Sequence, residues 1–366
     1  MDISVIIPTF NEQDEIGRLI ASLQQQSGLQ LEILVVDGGS SDATVEISKS
    51  YRANVLISPS KGRGAQMNYA AKFARSRLLL FLHADSYLES SVQLETAVKF
   101  YLASPDASSS AGHFAINFLS PTTKSSSNKP AYFYYEEKTY LNRPETINGD
   151  QALLIDREFF YHLGGHDESM PFLEDQRISK KIFAQGRWIL LPGKLGTSTR
   201  RFEREGFSRR MVLSALIMGL DHISYQEFFV FAPQIYRDEN HSCGLKNQYF
   251  CLLILKLMYK RGIIRSFKDW LQIGSYVFSN AWQMGLFLDV ILYFLCNKIR
   301  IHPLKKPNTF FYNGLDHLYL ILHRLPLISF VMELAVTLIV FILFLSYTLV
   351  LSVHDQIVVS DNVIKE

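Results

Sequence analysis

Leu78-Leu79-Leu80-Phe81-Leu82-His83-Ala84-Asp85 is an apolar run that closes on a carboxylate. A run this short fits a strand or part of a core helix. Arg75-Ser76-Arg77 precede it and polar residues follow, which favours a strand buried on both faces of a parallel sheet. In open α/β sheets ligands bind beyond the carboxyl ends of such strands. Asp85 then stands where a metal ion or polar ligand is held, whereas the same residue in isolation would simply cap the next helix. The rest of the chain decides between these readings.

Upstream, Ile3 to Ile7 reads as a first strand stopped by Pro8. Asn11 is expected as an N-cap, with Asp14 at the capping-box position and Ile16, Leu19, Ile20 and Leu23 at helical spacing behind it. Leu31 to Val36 is a second strand ending in Asp37-Gly38-Gly39-Ser40-Ser41-Asp42, whose glycines permit a tight turn beside a ligand. A helix starts near Ala43, and Asn54 to Ser58 is a third strand. Lys61-Gly62-Arg63-Gly64-Ala65-Gln66-Met67-Asn68 opens the next helix. Alternation of this kind predicts a parallel sheet with right-handed crossovers.

Downstream the rhythm loosens. A helix is expected from Ser91 to Ala103, a strand from His113 to Phe118 and a polar loop from Ser120 to Lys129. Tyr132-Phe133-Tyr134-Tyr135 is assigned to a loop, and its rings read as core more than as a sugar platform. Gly149-Asp150-Gln151 leads into a strand from Ala152 to Ile155. Glu174-Asp175 begins a helix, and Trp188 to Leu191 is a late strand.

The 366 residues have room for one large domain with an appendage, or for two domains. A net charge of +2 gives no reason to expect a nucleic-acid partner. Cys243, Cys251 and Cys296 lack zinc-type spacing and make no disulfide framework. The first residues lack the basic region and apolar core of a signal peptide, so the N-terminal part is expected in a reducing cytoplasm.

Three acidic points, Asp37, Asp85 and Glu174-Asp175, fall at strand ends or a helix start and would converge on one sheet edge. Here the sequence resembles family 2 glycosyltransferases of the GT-A fold. Ser4-Val5-Ile6-Ile7-Pro8-Thr9-Phe10-Asn11-Glu12 and Val35-Val36-Asp37-Gly38-Gly39-Ser40-Ser41-Asp42 look like that family's opening motifs. His83-Ala84-Asp85 falls at its metal-binding motif and Glu174-Asp175 at its base motif. Gly62 to Asn68, Gly149-Asp150-Gln151 and Arg200-Arg201-Phe202-Glu203-Arg204-Glu205-Gly206 add a narrower resemblance to a bacterial subgroup labelled arsenosugar-biosynthesis-type.

The resemblance implies an α/β, mostly parallel, Rossmann-like sheet flanked by helices, and transfer of a sugar with inversion. Thr9, Glu12 and Asp37 would line the nucleoside pocket of a nucleotide-diphospho-sugar donor. Arg63 and Asn68 would lie near the diphosphate or sugar, and Asp150 and Gln151 would face the sugar or acceptor. Asp85 would ligate a divalent cation, Mg or Mn, that neutralises the leaving diphosphate. Asp175, beside Glu174, would be the base that takes the acceptor hydroxyl's proton. Two departures stand out: His83 and Ala84 replace residues that are often acidic, and Arg187-Trp188 lacks the upstream Gln of processive synthases. The second argues for transfer of a single sugar. His83 reads as a hydrogen-bonded neighbour more than as a ligand.

The resemblance covers about residues 1–238 by motif placement; 239–326 is expected as an amphipathic helical region and 327–366 as a transmembrane helix with a short tail. Leu334 to Val353 carries no charge and is long enough to cross a bilayer core of about 30 Å. Trp282 to Cys296, interrupted by Asp289, reads as interfacial. Phe250 to Met258 has a rim of Lys and Arg suited to an anionic leaflet. Basic residues ahead of the span put the catalytic side in the cytoplasm, at a bacterial inner membrane. The expected activity is glycosyl transfer to an acceptor at that membrane, a location that favours a lipid-linked or membrane-near acceptor; the alternative is a catalytically silent GT-A scaffold or sugar-binding module.

Overall fold

The strands with the most continuous apolar runs form the parallel half of one sheet. The computed structural model describes residues 2–120, 130–169, 172–238, 245–299 and 309–363. Two compact units divide the chain at Thr199 and Arg200, ahead of the boundary expected at 238.

The first unit begins β1 (Ile3–Thr9), α1 (Ile16–Gln24), β2 (Leu31–Asp37), α2 (Thr44–Ser50), β3 (Asn54–Ile57), α3 (Arg63–Ala71), β4 (Leu78–Phe81). It continues β5 (Ser86–Leu88), α4 (Gln93–Leu102), β6 (Ser110–Leu119), α5 (Pro130–Lys138), β7 (Leu153–Asp156), α6 (Arg157–His162), α7 (Glu174–Gln185) and β8 (Arg187–Ser198). The sheet order is β3-β2-β1-β4-β7-β6-β8-β5. Every residue of β1 and β4 is buried. Alternate residues of β1 feed two cores: Val5 and Ile7 pack with Leu19, Leu80 and Phe114 on one face, and Ile6 packs with Val36, Leu79 and Ile155 on the other.

The sheet is mixed where the sequence reading had it mostly parallel. β7 runs antiparallel to both β4 and β6, and β5 antiparallel to β8. A strand buried on both faces reads the same in either direction, so Leu153-Leu154-Ile155 carries no sign of its orientation. β8 is twelve residues long, beyond the expected Trp188 to Leu191. Asn11 is not a helix cap. It has a φ of 56° and its side-chain oxygen accepts the Ser41 N–H at 2.9 Å, while α1 starts only at Ile16. Tyr132 to Tyr135 belong to α5, with Tyr132 and Tyr134 buried, as the core reading requires. Residues 121–129 of the expected polar loop lie outside the described residues.

The second unit is helical: α8 (Arg200–Glu205), α9 (Phe207–His222), α10 (Gln226–Asp238), α11 (Asn247–Arg261), α12 (Ile263–Ser279), α13 (Trp282–Ile299), α14 (Phe310–His323) and α15 (Pro326–Val363). Buried Glu205 pairs with Arg201 at 3.1 Å, Arg204 at 3.7 Å and Arg210 at 3.4 Å. Asp289 is fully buried, and its carboxylate accepts the N–H groups of Phe311 and Tyr312 at 3.1 and 2.8 Å. The acid that interrupts an apolar segment in the sequence therefore satisfies the start of α14. Within α15, Pro326–Leu351 has a mean hydropathy of 2.7 with 17% of its apolar window buried. It is the one helix among the described residues long and apolar enough by itself to cross a membrane; α12 and α13 qualify only as a pair bent by 44°.

Beneath the sheet, buried Glu32 accepts Ser4 Oγ at 2.6 Å, the Arg75 N–H at 2.8 Å and Arg75 Nε at 2.6 Å. Burial favours its neutral form, but these donors win and lower its pKa. A depressed carboxylate stabilises the fold above its unfolded pKa and loses that contribution as pH falls through the folded value. Glu32→Gln turns an amide toward the Ser4 and Arg75 donors and should cost about 1–3 kcal/mol at neutral pH. Urea unfolding of both proteins should show that gap closing as pH drops below the ordinary glutamate pKa of 4.5.

Candidate active site

β1, β2 and β4 are adjacent and parallel, so their carboxyl ends share one edge. β7 runs the other way beside β4, with Leu153 opposite Phe81. The chain entering β7 therefore arrives where the chain leaving β4 departs. That register brings Gly149-Asp150-Gln151 beside the turn His83–Ser86, closed by the Ser86 N–H on His83 O at 3.1 Å. α3 and α7 contribute their first residues, Arg63 and Glu174-Asp175.

Arg63 joins these pieces. Its Nε donates to Glu174 Oε1, its Nη1 is 3.1 Å from His83 Nε2, and its Nη2 lies 3.9 Å from Asp175 Oδ2. A guanidinium only donates, so His83 Nε2 is the acceptor and the imidazole proton sits on Nδ1. His83 is thus a hydrogen-bonded neighbour of Arg63. Burial works against the charge on Arg63, but the Glu174 and Asp175 carboxylates outweigh it and raise its pKa.

The two aspartates of the centre are driven apart. Burial favours neutral Asp175, yet Arg63 and the Gly149 and Gln176 N–H groups at 2.8 Å each hold its pKa below the usual range. At Asp150 its own backbone N–H and Arg63 pull the same way but are outweighed. Burial, then the Asp175 and Asp85 carboxylates, push it up to about 7. Its Oδ1 is out of solvent and has no hydrogen-bond partner among the described residues. Asp85 itself is half-buried beyond β4.

Two backbone features shape this centre. Leu173 sits at φ 66°, a left-handed conformation costly for leucine, and turns the chain so that α7 begins on its two acids. Gly149 leaves no room for a side chain: a Cβ there would lie 2.9 Å from His83 Nε2 and 3.2 Å from Asp175 Oδ2.

A second corner forms at β1 and β2. Asp37 Oδ2 accepts the Gly39 and Ser40 N–H groups at 2.8 Å each, and Oδ1 accepts the hydroxyls of Ser40 at 2.5 Å and Thr9 at 3.2 Å. A carboxylate offers about four acceptor positions, so Asp37 is occupied in building its own turn. Glu12 lies half-buried at the rim, its N–H on Thr44 Oγ1 at 2.8 Å. Gln66, to which the sequence reading gave no role, donates from Nε2 to Thr9 O and Val36 O at 2.8 Å each and ties the two strand ends together. It lies on the buried face of α3; a polar residue among small ones was its only signal.

Two expected site residues turn elsewhere. Asn68 Nδ2 donates to His166 O at 2.9 Å and Glu168 Oε1 at 2.8 Å, and its Oδ1 accepts the His166 N–H at 2.9 Å, so it pins the loop before α7. Gln151 is fully buried between His113 Nδ1 at 3.0 Å and Thr146 O at 2.5 Å. A cavity of about 30 Å³ lies behind the acidic centre, against His83, Asn148, Gly149 and Asp175. It is water-sized, well below the several hundred Å³ of a ligand pocket.

The profile of Glycosyl transferase family 2 matches residues 4–164. Poly(ribitol-phosphate) beta-N-acetylglucosaminyltransferase TarS of Staphylococcus aureus is 34% identical over 96 residues, 24% of this chain and 17% of the relative. The 4,4'-diaponeurosporenoate glycosyltransferase of Staphylococcus haemolyticus is 35% identical over 106 residues, 27% of this chain and 28% of the relative. The crystal structure of S. aureus TarS 1–349 in complex with UDP aligns with a TM-score of 0.45 at 18% identity, covering 87% of this chain and 89% of that one. The segment similar to glycosyltransferase family 2 lies within the first unit and spans less than half of the chain.

Gly149→Ala tests the packing of the centre. The added methyl separates His83 from Asp175, a sub-ångström displacement that should lower turnover by roughly 100-fold. Melting temperature close to wild type with unchanged turnover would contradict this account of the site.

Proposed function

We propose that the chain transfers one sugar, with inversion, from a nucleotide-diphospho-sugar to an acceptor hydroxyl at the cytoplasmic face of a membrane. The carrying observation is the meeting of Arg63, Asp85, Asp150, Glu174 and Asp175 at one sheet edge. Asp175 is ionised at neutral pH and receives its proton from the acceptor hydroxyl as that oxygen attacks. Arg63 and the Gly149 N–H fix the carboxylate for this, and Glu174 fixes Arg63. Thr9, Asp37, Glu12 and Gln66 form the wall for the nucleoside. In this reading Asn68 and Gln151 act through the loops they hold, with no contact to donor. Likeness to the narrower bacterial subgroup rests on motifs alone.

A divalent cation suits these residues. Three acids, Glu174, Asp175 and Asp150, act on one arginine and Asp85 acts on Asp150, and an anionic diphosphate enters such a centre only with added positive charge. Asp85 and the partnerless Oδ1 of Asp150 would hold it. Among the described residues no three acidic, histidine or cysteine groups gather closely enough to bind an ion. A pair of carboxylates completed by donor phosphates fits the habit of Mg²⁺. When bound, the cation supplies charge neutralisation to the departing diphosphate.

Membrane attachment is proposed from the apolar length of Pro326–Leu351 and its low burial. The acceptor would then be lipid-linked or close to the bilayer.

Nucleotide release across a panel of donors tests the chemistry. Asp175→Asn should slow release by roughly 10²–10⁴-fold, and chelation should abolish it. Wild-type turnover by the variant would remove the base, and a rate indifferent to chelation would remove the cation. The scaffold reading, motivated by the single acid in His83-Ala84-Asp85, requires no metal-dependent nucleotide affinity by calorimetry and no turnover with any donor.

A further inference from the structure

Residues 245–268 contain six cations, Lys246, Lys256, Lys260, Arg261, Arg265 and Lys268, and no acid. The stretch folds as α11, a turn at Gly262 with φ 85°, and the start of α12. The turn carries large apolar side chains into solvent: Tyr259 is 90% exposed, Ile263 89%, Ile264 76% and Phe267 54%. Lys256, Lys260, Arg265 and Lys268 are exposed around them. Arg261 is directed inward, to Asp269 at 3.1 Å and Glu227 at 3.2 Å, and braces the turn from behind.

The elbow sits at one end of the apolar helix. Trp270 of α12 packs on Phe341 and Phe344 of α15, with centroids 5.0 and 5.2 Å apart. Gly274 abuts Thr337 so closely that a Cβ would strike it. The two helices therefore run antiparallel. Continuing from Trp270 back to Ile263, about 10 Å at 1.5 Å per residue, brings the elbow level with the end of the apolar stretch at Leu351. α11 meets α15 at the same end, where Asn247 Nδ2 donates to Tyr347 Oη at 2.9 Å.

We infer that the α11–α12 elbow is a wedge that enters the head-group layer of an anionic bilayer, with Tyr259, Ile263, Ile264 and Phe267 below the phosphates and Lys256, Lys260, Arg265 and Lys268 among them. Apolar burial and attraction to anionic lipid act together at such a site, each basic residue near the surface adding roughly 1 kcal/mol. Charge selects the occupant: a protein partner needs a matching acidic surface, whereas an anionic leaflet meets both the cations and the bare apolar tip. This rests on the reading of the second unit as membrane-associated.

The test uses the full chain on vesicles of phosphatidylcholine, alone or mixed with phosphatidylglycerol, carrying a lipid with a diazirine near the head-group end of its acyl chain. After photolysis, labelled peptides are mapped. The wedge predicts label on 259–267 in the mixed vesicles, reduced severalfold by high salt and by the combined substitutions Lys260→Glu, Arg265→Glu and Lys268→Glu. Label on 326–351 should persist in all cases. Label on 326–351 with none on 259–267 overturns the wedge alone. Label on 259–267 that ignores lipid charge and the substitutions overturns its electrostatic half. Absence of label from both segments overturns the membrane reading itself, and leaves nucleotide release as a separate question.

Discussion

The Arg63 guanidinium is the contact on which the site depends. It comes from the first residue of α3 and meets Glu174 and Asp175 from the first residues of α7 and His83 from the exit of β4. Remove its charge and buried Glu174 and half-buried Asp175 both lose the cation that pairs with them. Breaking a buried ion pair by deleting one partner is costly because the other charge is left uncompensated. The arginine thus sets the ionisation of Asp175 as well as its position.

The sheet explains why such distant segments meet. A parallel array delivers β1, β2 and β4 to one edge, and the reversal at β7 returns residues 149–151 to that edge. Had β7 run parallel to β4, Asp150 would enter at the opposite edge, remote from Asp85. Gly149 completes the arrangement, since only a residue without a side chain can pass between His83 and Asp175 while donating its N–H to the latter.

Much of this was legible in the chain. Leu78 to Leu82 and Ile3 to Ile7 announce buried strands through unbroken apolar runs, and the acids that follow them mark the edge. Strand direction was not legible, because burial on both faces erases the alternation that would reveal it. Residue order also misled about side-chain direction. Asp150 and Gln151 are neighbours, but one turns to the acidic centre and the other into the core against His113. Asn68 reads as a ligand by position, yet its side chain is bonded to a loop about 100 residues further along the chain, at His166 and Glu168. Asp289 looked like a flaw in an apolar helix and is the partner of the next helix's first N–H groups.

The central claim of the proposed function is that this acid-rich centre supports a single displacement at the sugar carbon, with Asp175 as base. Proton NMR of the glycoside formed from an α-linked nucleotide sugar tests it most directly. The account predicts a β-configured product from the first turnover; a product that keeps the α configuration would contradict it.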